Sequence, residues 1–152
     1  MTGALKPSVR PIPEGFHTIT PYLVVEGAPK LIEFLKQAFG AQEQFRLARP
    51  DGGIMHAEMK IGDSIIMMGA PMGDAKAMPC SLYLYVADAD AVYQRAIQAG
   101  GTSVGEPKDQ FYGDRSAGVI DPSGNYWGIG THIEDVSHAE MEKRFAAMVG
   151  KR

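Results

Sequence analysis

The apolar positions of this chain fall into two series with the same order of elements. In the first series, residues 16–25 (FHTITPYLVV) alternate in part between apolar and polar and are rich in β-branched residues, which predicts a strand. Pro21 predicts an edge position or a bulge, because proline cannot donate to a ladder of hydrogen bonds. A helix is predicted over residues 29–39, where Leu31, Leu35 and Ala38 form one apolar face and Gly40 follows as the end signal. The remaining strands of this series are predicted at residues 41–48, 54–61 and 64–68.

The second series begins at residues 81–86 (SLYLYV), which predict a strand. A helix capped by Asp88 or Asp90 follows and runs to Ala99, where two glycines end it. Residues 102–104 predict the next strand. When residues 20–25 are laid over residues 81–86, the helices come into step at a period of about 61 residues, longer than the period of solenoid repeats. The chain is therefore predicted to contain two copies of a βαβββ module.

The clearest local signal is the turn at residues 121–125 (DPSGN). Pro122 fixes φ at one corner of the turn, and Gly124 and Asn125 tolerate left-handed backbone. Residues 116–120 and 126–129 are short and prone to form strands, so a hairpin is predicted around this turn.

Three further segments complete the organisation, in which one structural domain is expected. Residues 1–15 predict an extended arm before the first module at 16–69, and residues 70–79 predict a linker to the second module at 80–132. Residues 133–152 predict a C-terminal helix with Ser137 as its N-cap and Glu140 in a capping box. The narrow apolar stripe of this helix packs either on its own domain or on a second copy of the chain. That stripe consists of Met141, Phe145 and Met148.

Charge and composition exclude several classes of function. The net charge of −3 over 152 residues, without a basic stripe, argues against binding to nucleic acid. No apolar run approaches the roughly 18 residues of a membrane helix, and the N-terminal stretch lacks the apolar segment of a secretory signal. The single cysteine, Cys80, excludes an intramolecular disulfide, so a cytoplasmic location is expected. Cys80 heads an apolar strand without a basic neighbour, which favours an inert thiol over a nucleophile.

Two stretches carry a resemblance to a known family. They are HTITPYLVVEGAPKLIEFLKQAFGA in the first module and DQFYGDRSAGVIDPSGNYWGIGTHIEDVS in the second. With the repeated βαβββ order, they resemble the vicinal oxygen chelate superfamily of glyoxalases, bleomycin-resistance proteins and ring-cleaving dioxygenases. The stretches IMHAEMKIGDSIIM and FYGDR are similar to the PhnB-like branch of small bacterial proteins. The resemblance implies an α+β fold in which two curved mixed sheets form an open cup, often completed by a second subunit. A homodimer is therefore expected.

The resemblance also implies where a metal would bind. Metal-using members of the superfamily take one ligand from the first strand and one from the last strand of each module. In this chain those four positions are Thr20, Met67, Ser81 and Gly128. Divalent ions in such sites want histidine nitrogen and carboxylate oxygen, so the usual metal site is predicted to be missing and no cofactor is predicted.

Other side chains offer a weaker alternative for a divalent metal. His56 and Glu58 project to the same face of a predicted strand, about 7 Å apart, but they lack a third ligand close in sequence. A single histidine on a strand is more often hydrogen-bonded or exposed. His17 and His132 lie near strand ends and are predicted at the surface.

Aromatic and polar residues remain as the candidate lining of the cup. Strand alternation puts Tyr22, Tyr83 and Tyr85 on the face of Thr20 and Ser81, which suits an apolar or planar ligand, although the same pattern fits an ordinary core. The candidate ligand-binding residues are Thr20, Tyr22, His56, Met67, Ser81, Tyr83, Tyr85, Tyr112 and Arg115.

Tyr112 and Arg115 are predicted in the loop before the hairpin. Trp127 alternates away from that face and is predicted in the core. Arg115 either clamps an anionic group of a ligand or pins the loop by bonding Asp114 or Asp121.

Three functions are compatible with these patterns. The favoured one is a metal-independent binder of a small apolar or aromatic molecule. The second is a divalent-metal-dependent lyase, isomerase or dioxygenase with a non-standard site at His56 and Glu58. The third is a non-catalytic dimeric scaffold. No glycine-rich nucleotide loop follows a strand, which argues against cofactor-dependent methyl transfer.

Overall fold

The computed structural model describes residues 8–150 of the chain. Those residues form eight strands and three helices. The first half contains β1 (Tyr22–Val24), α1 (Ala28–Phe39), β2 (Gln42–Ala48), β3 (Ile54–Ile61) and β4 (Ser64–Gly69). The second half contains β5 (Ser81–Tyr85), α2 (Ala89–Gln98), β6 (Thr102–Asp109), β7 (Asp114–Ile120) and β8 (Tyr126–His132), and α3 (His138–Val149) follows. The predicted order of two βαβββ modules and a C-terminal helix is confirmed.

Each module builds one mixed four-stranded sheet with the same topology. The strand orders are β1-β4-β3-β2 and β5-β8-β7-β6. In both sheets the first strand of the module runs parallel to the last, and the other pairs are antiparallel. Across residues 8–150, no hydrogen-bonded strand pair joins one sheet to the other.

The core lies where one face of each sheet packs against the two helices α1 and α2. Alternate strand residues such as Leu23, Met59 and Val119 point to this side and are completely buried. The helices also pack against each other, and the ring of Phe39 lies 4.9 Å from that of Trp127 between centroids. One continuous apolar cluster therefore holds both modules together, while the opposite face of each sheet remains open. We call these two surfaces the first and second open faces.

Local signals explain the ends of the helices. α1 begins beside Pro29, and its last turn closes at Gly40, whose φ of 64° is a conformation that glycine adopts without strain. The Asp88 side chain caps α2 by accepting from Ala91 N, as predicted. Ser137 caps α3 in the same way, but the Glu140 carboxylate pairs with a later arginine of the helix.

The prediction of a strand over residues 16–25 was wrong in its length. Only Tyr22–Val24 is a strand, and the residues from Phe16 to Pro21 are irregular. Pro21 lacks an N–H, so it joins the sheet only through its carbonyl oxygen, which accepts from Met67 N at 2.9 Å. In the opposite direction, the strand predicted at 102–104 continues to Asp109 because bulges accommodate its glycine and proline.

The turn at residues 121–125 forms as predicted and is fixed by one side chain. The Asp121 carboxylate accepts from the backbone N–H groups of Ser123 and Asn125, at 2.8 and 3.0 Å. It also accepts from the Asn125 side-chain amide and from Trp127 Nε1, at 2.9 and 2.8 Å. Trp127 is buried in the core, as predicted.

The segments around the modules are simpler. Residues 1–7 of the predicted arm lie outside the described residues, and residues 8–15 contain turns without regular structure. The linker residue Met78 forms an isolated bridge to Val24 at the edge of the first sheet. Among residues 8–150, no helix combines the length and the apolar character needed to cross a membrane.

Candidate functional site

The ring of Tyr83 lies directly on two glycines of β8, Gly128 and Gly130, at the centre of the second open face. Tyr83 is the register partner of Gly128, and Tyr85 is the partner of Gly130. A side-chain carbon added at Gly128 would stand 2.6 Å from Cδ2 of Tyr83, so the ring occupies the space that a larger residue would fill. The Tyr83 and Tyr85 rings meet edge to face with centroids 5.0 Å apart. We call these four residues the tyrosine floor. Tyr83 and Tyr85 are 45% and 65% exposed, so the floor presents a broad aromatic surface to solvent.

A buried carboxylate lies next to the hydroxyl groups of the tyrosine floor. Asp114, the first residue of β7, is only 2% exposed. Its Oδ2 accepts from the hydroxyls of Tyr83 and Tyr85 at 2.9 and 3.0 Å, and its Oδ1 lies 2.9 Å from Nδ1 of His132. Burial alone would raise the pKa of Asp114, but the hydrogen bonds from His132 and the two tyrosines outweigh it and lower the pKa. Asp114 is therefore ionised and fully engaged at neutral pH.

The two tyrosines are held in their neutral form. Burial first, and then the hydrogen bonds to Asp114 and Tyr112, raise the pKa of Tyr83. For Tyr85 the hydrogen bond to Asp114 is the larger cause of a raised pKa, and burial adds to it. Burial disfavours the charged phenolate, and each tyrosine would lose the hydrogen bond that it donates to Asp114 if it gave up its proton.

His132 joins the floor to the segment that leads into α3. Its Nε2 lies 2.8 Å from Oδ1 of Asp135, while Nδ1 faces Asp114. The carboxylate of Asp135, followed by that of Asp114, raises the pKa of His132 because both stabilise the imidazolium. The side chain is half exposed, which agrees with the predicted surface position but adds two partners that the prediction did not contain.

A small cavity of about 210 Å³ adjoins the tyrosine floor. Tyr83, Tyr112 and Tyr126 form much of its wall, together with the side chains of Gln110 and Ser116. The Gln110 amide donates to the Ser116 hydroxyl at 3.1 Å, and the Tyr112 hydroxyl lies 3.4 Å from the same oxygen. The structure thus brings the candidate Tyr112 beside Tyr83.

Arg115 does not reach the second open face. Its side chain points to the helix side of β7, where Nε and Nη2 donate to Asp90 at 2.6 and 2.9 Å. Nη1 donates to Asp109 at 3.0 Å. The alternative that Arg115 bonds Asp114 or Asp121 was wrong. Asp114 projects to the opposite face of the strand, and Asp121 lies six residues farther along the chain, about 20 Å away at the rise of a strand. Its guanidinium is bound to carboxylates of the chain itself and is not aimed at the floor.

The first open face carries a smaller polar group. His56 Nδ1 lies 3.2 Å from the Tyr22 hydroxyl, and His56 Nε2 lies 3.3 Å from Oε1 of Glu58. Met67 is the register partner of both Tyr22 and Glu58. Thr20 precedes β1, and its hydroxyl donates to the carbonyl of His17 at 3.0 Å. Residues of the arm, together with Thr20, Glu58 and Met67, surround a cavity of about 380 Å³ on this face.

The four positions that the resemblance assigns to a metal do not fit one. They offer the hydroxyls of Thr20 and Ser81, the thioether of Met67 and, at Gly128, no side chain. Borderline and hard divalent ions prefer imidazole and carboxylate donors, so this set is unsuitable. His56 and Glu58 are near each other as predicted, yet residues 8–150 contain no group of three or more His, Cys, Asp or Glu side chains able to hold a metal.

The candidates therefore divide into two groups, one on each sheet. Tyr22, His56 and Met67 lie on the first open face, whereas Ser81, Tyr83 and Tyr85 lie on the second. In the part of the chain that the structure describes, neither a hydrogen bond nor a ring contact joins the two groups.

Sequence reasoning missed the role of Asp114 and the partners of His132. A signal was available in the hairpin, because residues equally far from a turn at 121–125 face each other in an antiparallel pair. That rule puts Asp114 opposite His132, which is the observed register. The contacts of Asp114 with Tyr83 and Tyr85 could not be predicted from the sequence, because they depend on where β5 lies in the sheet.

The sequence profile of the Glyoxalase/Bleomycin resistance protein/Dioxygenase superfamily matches residues 15–129. This match covers most of both modules. The chain belongs to this superfamily.

Relatives and solved structures agree with that assignment. An uncharacterized protein of Mycobacterium bovis is 36% identical over 135 residues, covering 82% of this chain and 89% of the relative. An uncharacterized protein of Mycobacterium tuberculosis has the same identity over 135 residues, covering 82% and 79%.

Among solved structures, TioX from Micromonospora sp. ML1 has a TM-score of 0.65 at 24% identity, covering 76% of this chain and 98% of TioX. A glyoxalase-related enzyme from Fulvimarina pelagi has a TM-score of 0.63 at 16% identity, covering 76% and 87%. At these identities, the two structures support the glyoxalase-type fold and nothing more specific.

Proposed function

We propose that this superfamily member, of the PhnB-like branch, binds a small apolar or aromatic molecule without the usual metal site. The observation that carries the proposal is the tyrosine floor, where Gly128 leaves room for the flat ring of Tyr83. A planar ligand gains apolar burial and ring contacts by lying on such a surface. The adjoining cavity of about 210 Å³ offers hydroxyl and amide groups that would orient the ligand.

A homodimer is part of the proposal. Both open faces carry large apolar side chains that remain about half exposed, including Tyr22, Phe45 and Leu47 on the first and Tyr83 on the second. Such patches on a small protein favour a covering partner. A second copy of the chain would turn each open face into one wall of a closed cup. Sedimentation equilibrium at micromolar concentration tests this, and a monomer at all concentrations would oppose it.

The ligand proposal is tested by binding to purified protein. Planar aromatic compounds are screened for those that raise the melting temperature, because a ligand of the folded state stabilises it. Affinities of the hits are then compared between the natural chain and Tyr83→Leu, which keeps an apolar side chain but removes the flat ring. We expect at least about tenfold weaker binding, which corresponds to about 1.4 kcal/mol.

Phe145→Leu serves as the matched control, since Phe145 is a half-exposed aromatic residue of α3 whose ring packs on Phe111 rather than on the tyrosine floor. The affinity of the Phe145→Leu variant for the same compounds should equal that of the natural chain. Equal affinity of Tyr83→Leu and the natural chain would reject the floor as the site. No stabilising compound in the whole screen would favour the non-catalytic scaffold.

The pair of His56 and Glu58 supports a second candidate, a divalent-metal-dependent lyase, isomerase or dioxygenase. The two side chains lie within 3.3 Å of each other on an open face. Elemental analysis of the protein tests it. A near-stoichiometric metal that disappears in His56→Ala, together with any activity, would replace the binder proposal.

A further inference from the structure

We propose that Asp114 makes the tyrosine floor an acceptor of hydrogen bonds, so that the ligand is a planar molecule bearing N–H or O–H donors rather than a carboxylate. This inference rests on the proposed function and names the class of ligand for that site. It assigns to Asp114 the role of a positioning residue, which acts on the ligand through Tyr83 and Tyr85.

The number of available protons limits the hydrogen bonds that the tyrosine floor can donate. A phenol has one O–H, whereas an ionised carboxylate only accepts hydrogen bonds. The hydroxyls of Tyr83 and Tyr85 both donate to Oδ2 of Asp114. With these protons committed, each phenol oxygen offers only lone pairs to anything that approaches from the open face.

A ligand does not readily reverse the direction of the hydrogen bonds from the two phenols to Asp114. Asp114 is 2% exposed, and a phenol that turned its proton outward would withdraw a hydrogen bond from a buried charge. The hydrogen bond to Asp114 is the largest cause of the raised pKa of Tyr85, and it adds to the effect of burial on the pKa of Tyr83. A ligand acceptor must compete with Asp114, while a ligand donor need not.

Tyr85 is the more available acceptor of the two. It is 65% exposed, compared with 45% for Tyr83. Tyr83 also has the hydroxyl of Tyr112 within hydrogen-bonding reach, and that hydroxyl competes with a ligand for the Tyr83 oxygen. The selective contact is therefore expected mainly at the Tyr85 oxygen.

Local charge favours the same class of ligand. The carboxylates of Asp114 and Asp135 both contact His132, so one net negative charge remains even when the imidazole is protonated. Arg115 is engaged on the helix side by Asp90 and Asp109 and does not offset this charge on the open face. Lys108 and Glu106 line the adjoining cavity, and their formal charges cancel. An anionic group placed on the floor would meet repulsion, whereas an amine or a cation would not.

The test uses three naphthalenes that differ in one substituent and the full-length chain. 2-Naphthylamine is a neutral donor at pH 7, 2-methoxynaphthalene is an acceptor without a proton, and 2-naphthoate is an anion. Affinities are measured by calorimetry or ligand-observed NMR. We expect the amine to bind at least about tenfold more tightly than the methoxy compound, and the naphthoate to bind most weakly.

Two variants test which residues cause the preference for the amine over the methoxy compound. Asp114→Asn replaces a carboxylate that only accepts with an amide that also donates, and an NH₂ group in the place of Oδ2 frees the protons of both phenols. The ratio between the amine and methoxy affinities should therefore fall to within about threefold. Tyr85→Phe keeps the ring but removes the oxygen, so the amine should lose affinity while the methoxy compound keeps it. Tyr85→Phe carries the test if Asp114→Asn fails to fold. Asp51→Asn, which changes an exposed carboxylate on the β2–β3 turn of the first module, is the matched control and should leave the ratio unchanged.

The binding results test the role of Asp114 separately from the proposed function. Equal binding of all three compounds, or tightest binding of the naphthoate, would overturn the assignment to Asp114 and leave a binder of planar molecules. An unchanged ratio in both Asp114→Asn and Tyr85→Phe would also overturn it. If no naphthalene binds up to its solubility limit, the proposed function fails for planar aromatics and this inference fails with it.

Discussion

The hairpin turn of the second module allows a quantitative prediction for Asp121→Ala. The carboxylate that this change removes accepts from four N–H groups, which belong to Ser123, Asn125 and Trp127. Asn125 is 0% and Trp127 is 2% exposed, so their side-chain donors cannot regain water in the folded protein. Removing one partner from a buried hydrogen bond to a charged group costs about 1.5–3 kcal/mol. The two buried side-chain donors alone then predict a loss of about 3–6 kcal/mol.

Urea unfolding followed by circular dichroism measures this loss. For a small domain with a slope of about 2 kcal/mol per molar urea, the midpoint should fall by about 2 M. The predicted loss in the free energy of unfolding is a large part of the 5–15 kcal/mol by which a typical domain is stable. The slope itself should not change, because the surface exposed on unfolding is nearly the same.

The first module provides the matched control, Asp51→Ala. Asp51 also accepts from a turn N–H, that of Gly53 at 2.9 Å, and pairs with Arg49. The Asp51 side chain is 60% exposed, so water replaces it and the loss should stay below about 1 kcal/mol. If Asp121→Ala and Asp51→Ala shift the midpoint equally, the reasoning from buried donors is refuted.

Two further predictions concern titration and reactivity. Because Asp135 and Asp114 raise the pKa of His132, its stabilising contribution is fully present below the ordinary histidine pKa of about 6.5 and is lost as pH rises through the raised value. The difference in melting temperature between the natural chain and His132→Gln should therefore shrink with rising pH, and a difference that grows would contradict the pairing. Burial, followed by the charge of Asp121, raises the pKa of the Cys80 thiol, so a thiol reagent at pH 7 should react more slowly with folded protein than with protein in urea. Equal rates would show that the thiol is not shielded.

The parts of the fold that local sequence determines were predictable. Leu31, Leu35 and Ala38 repeat at helical spacing before Gly40, and all three are completely buried in α1. The turn at residues 121–125 was equally clear, because proline, glycine and asparagine restrict the backbone without help from distant residues.

The candidate site was less predictable because its contacts span long distances along the chain. Tyr83 and Tyr85 are separated from Asp114 by 31 and 29 positions in the sequence, and Arg115 is separated from Asp90 by 25. Strand alternation correctly put the two tyrosines on one face, but it gives no information about which strand lies next to them. The order of strands in the sheet decides that, and it results from packing on the helices.

The close fit between Tyr83 and Gly128 also constrains how such a chain can change over evolutionary time. A carboxylate at position 128, where metal-using relatives are expected to have one, would collide with the side of the aromatic ring rather than with a flexible chain end. A single substitution at 128 is therefore disfavoured while tyrosine stays at 83. The Tyr83 ring and a carboxylate at position 128 would occupy the same space, so an exchange of one for the other requires changes at both positions.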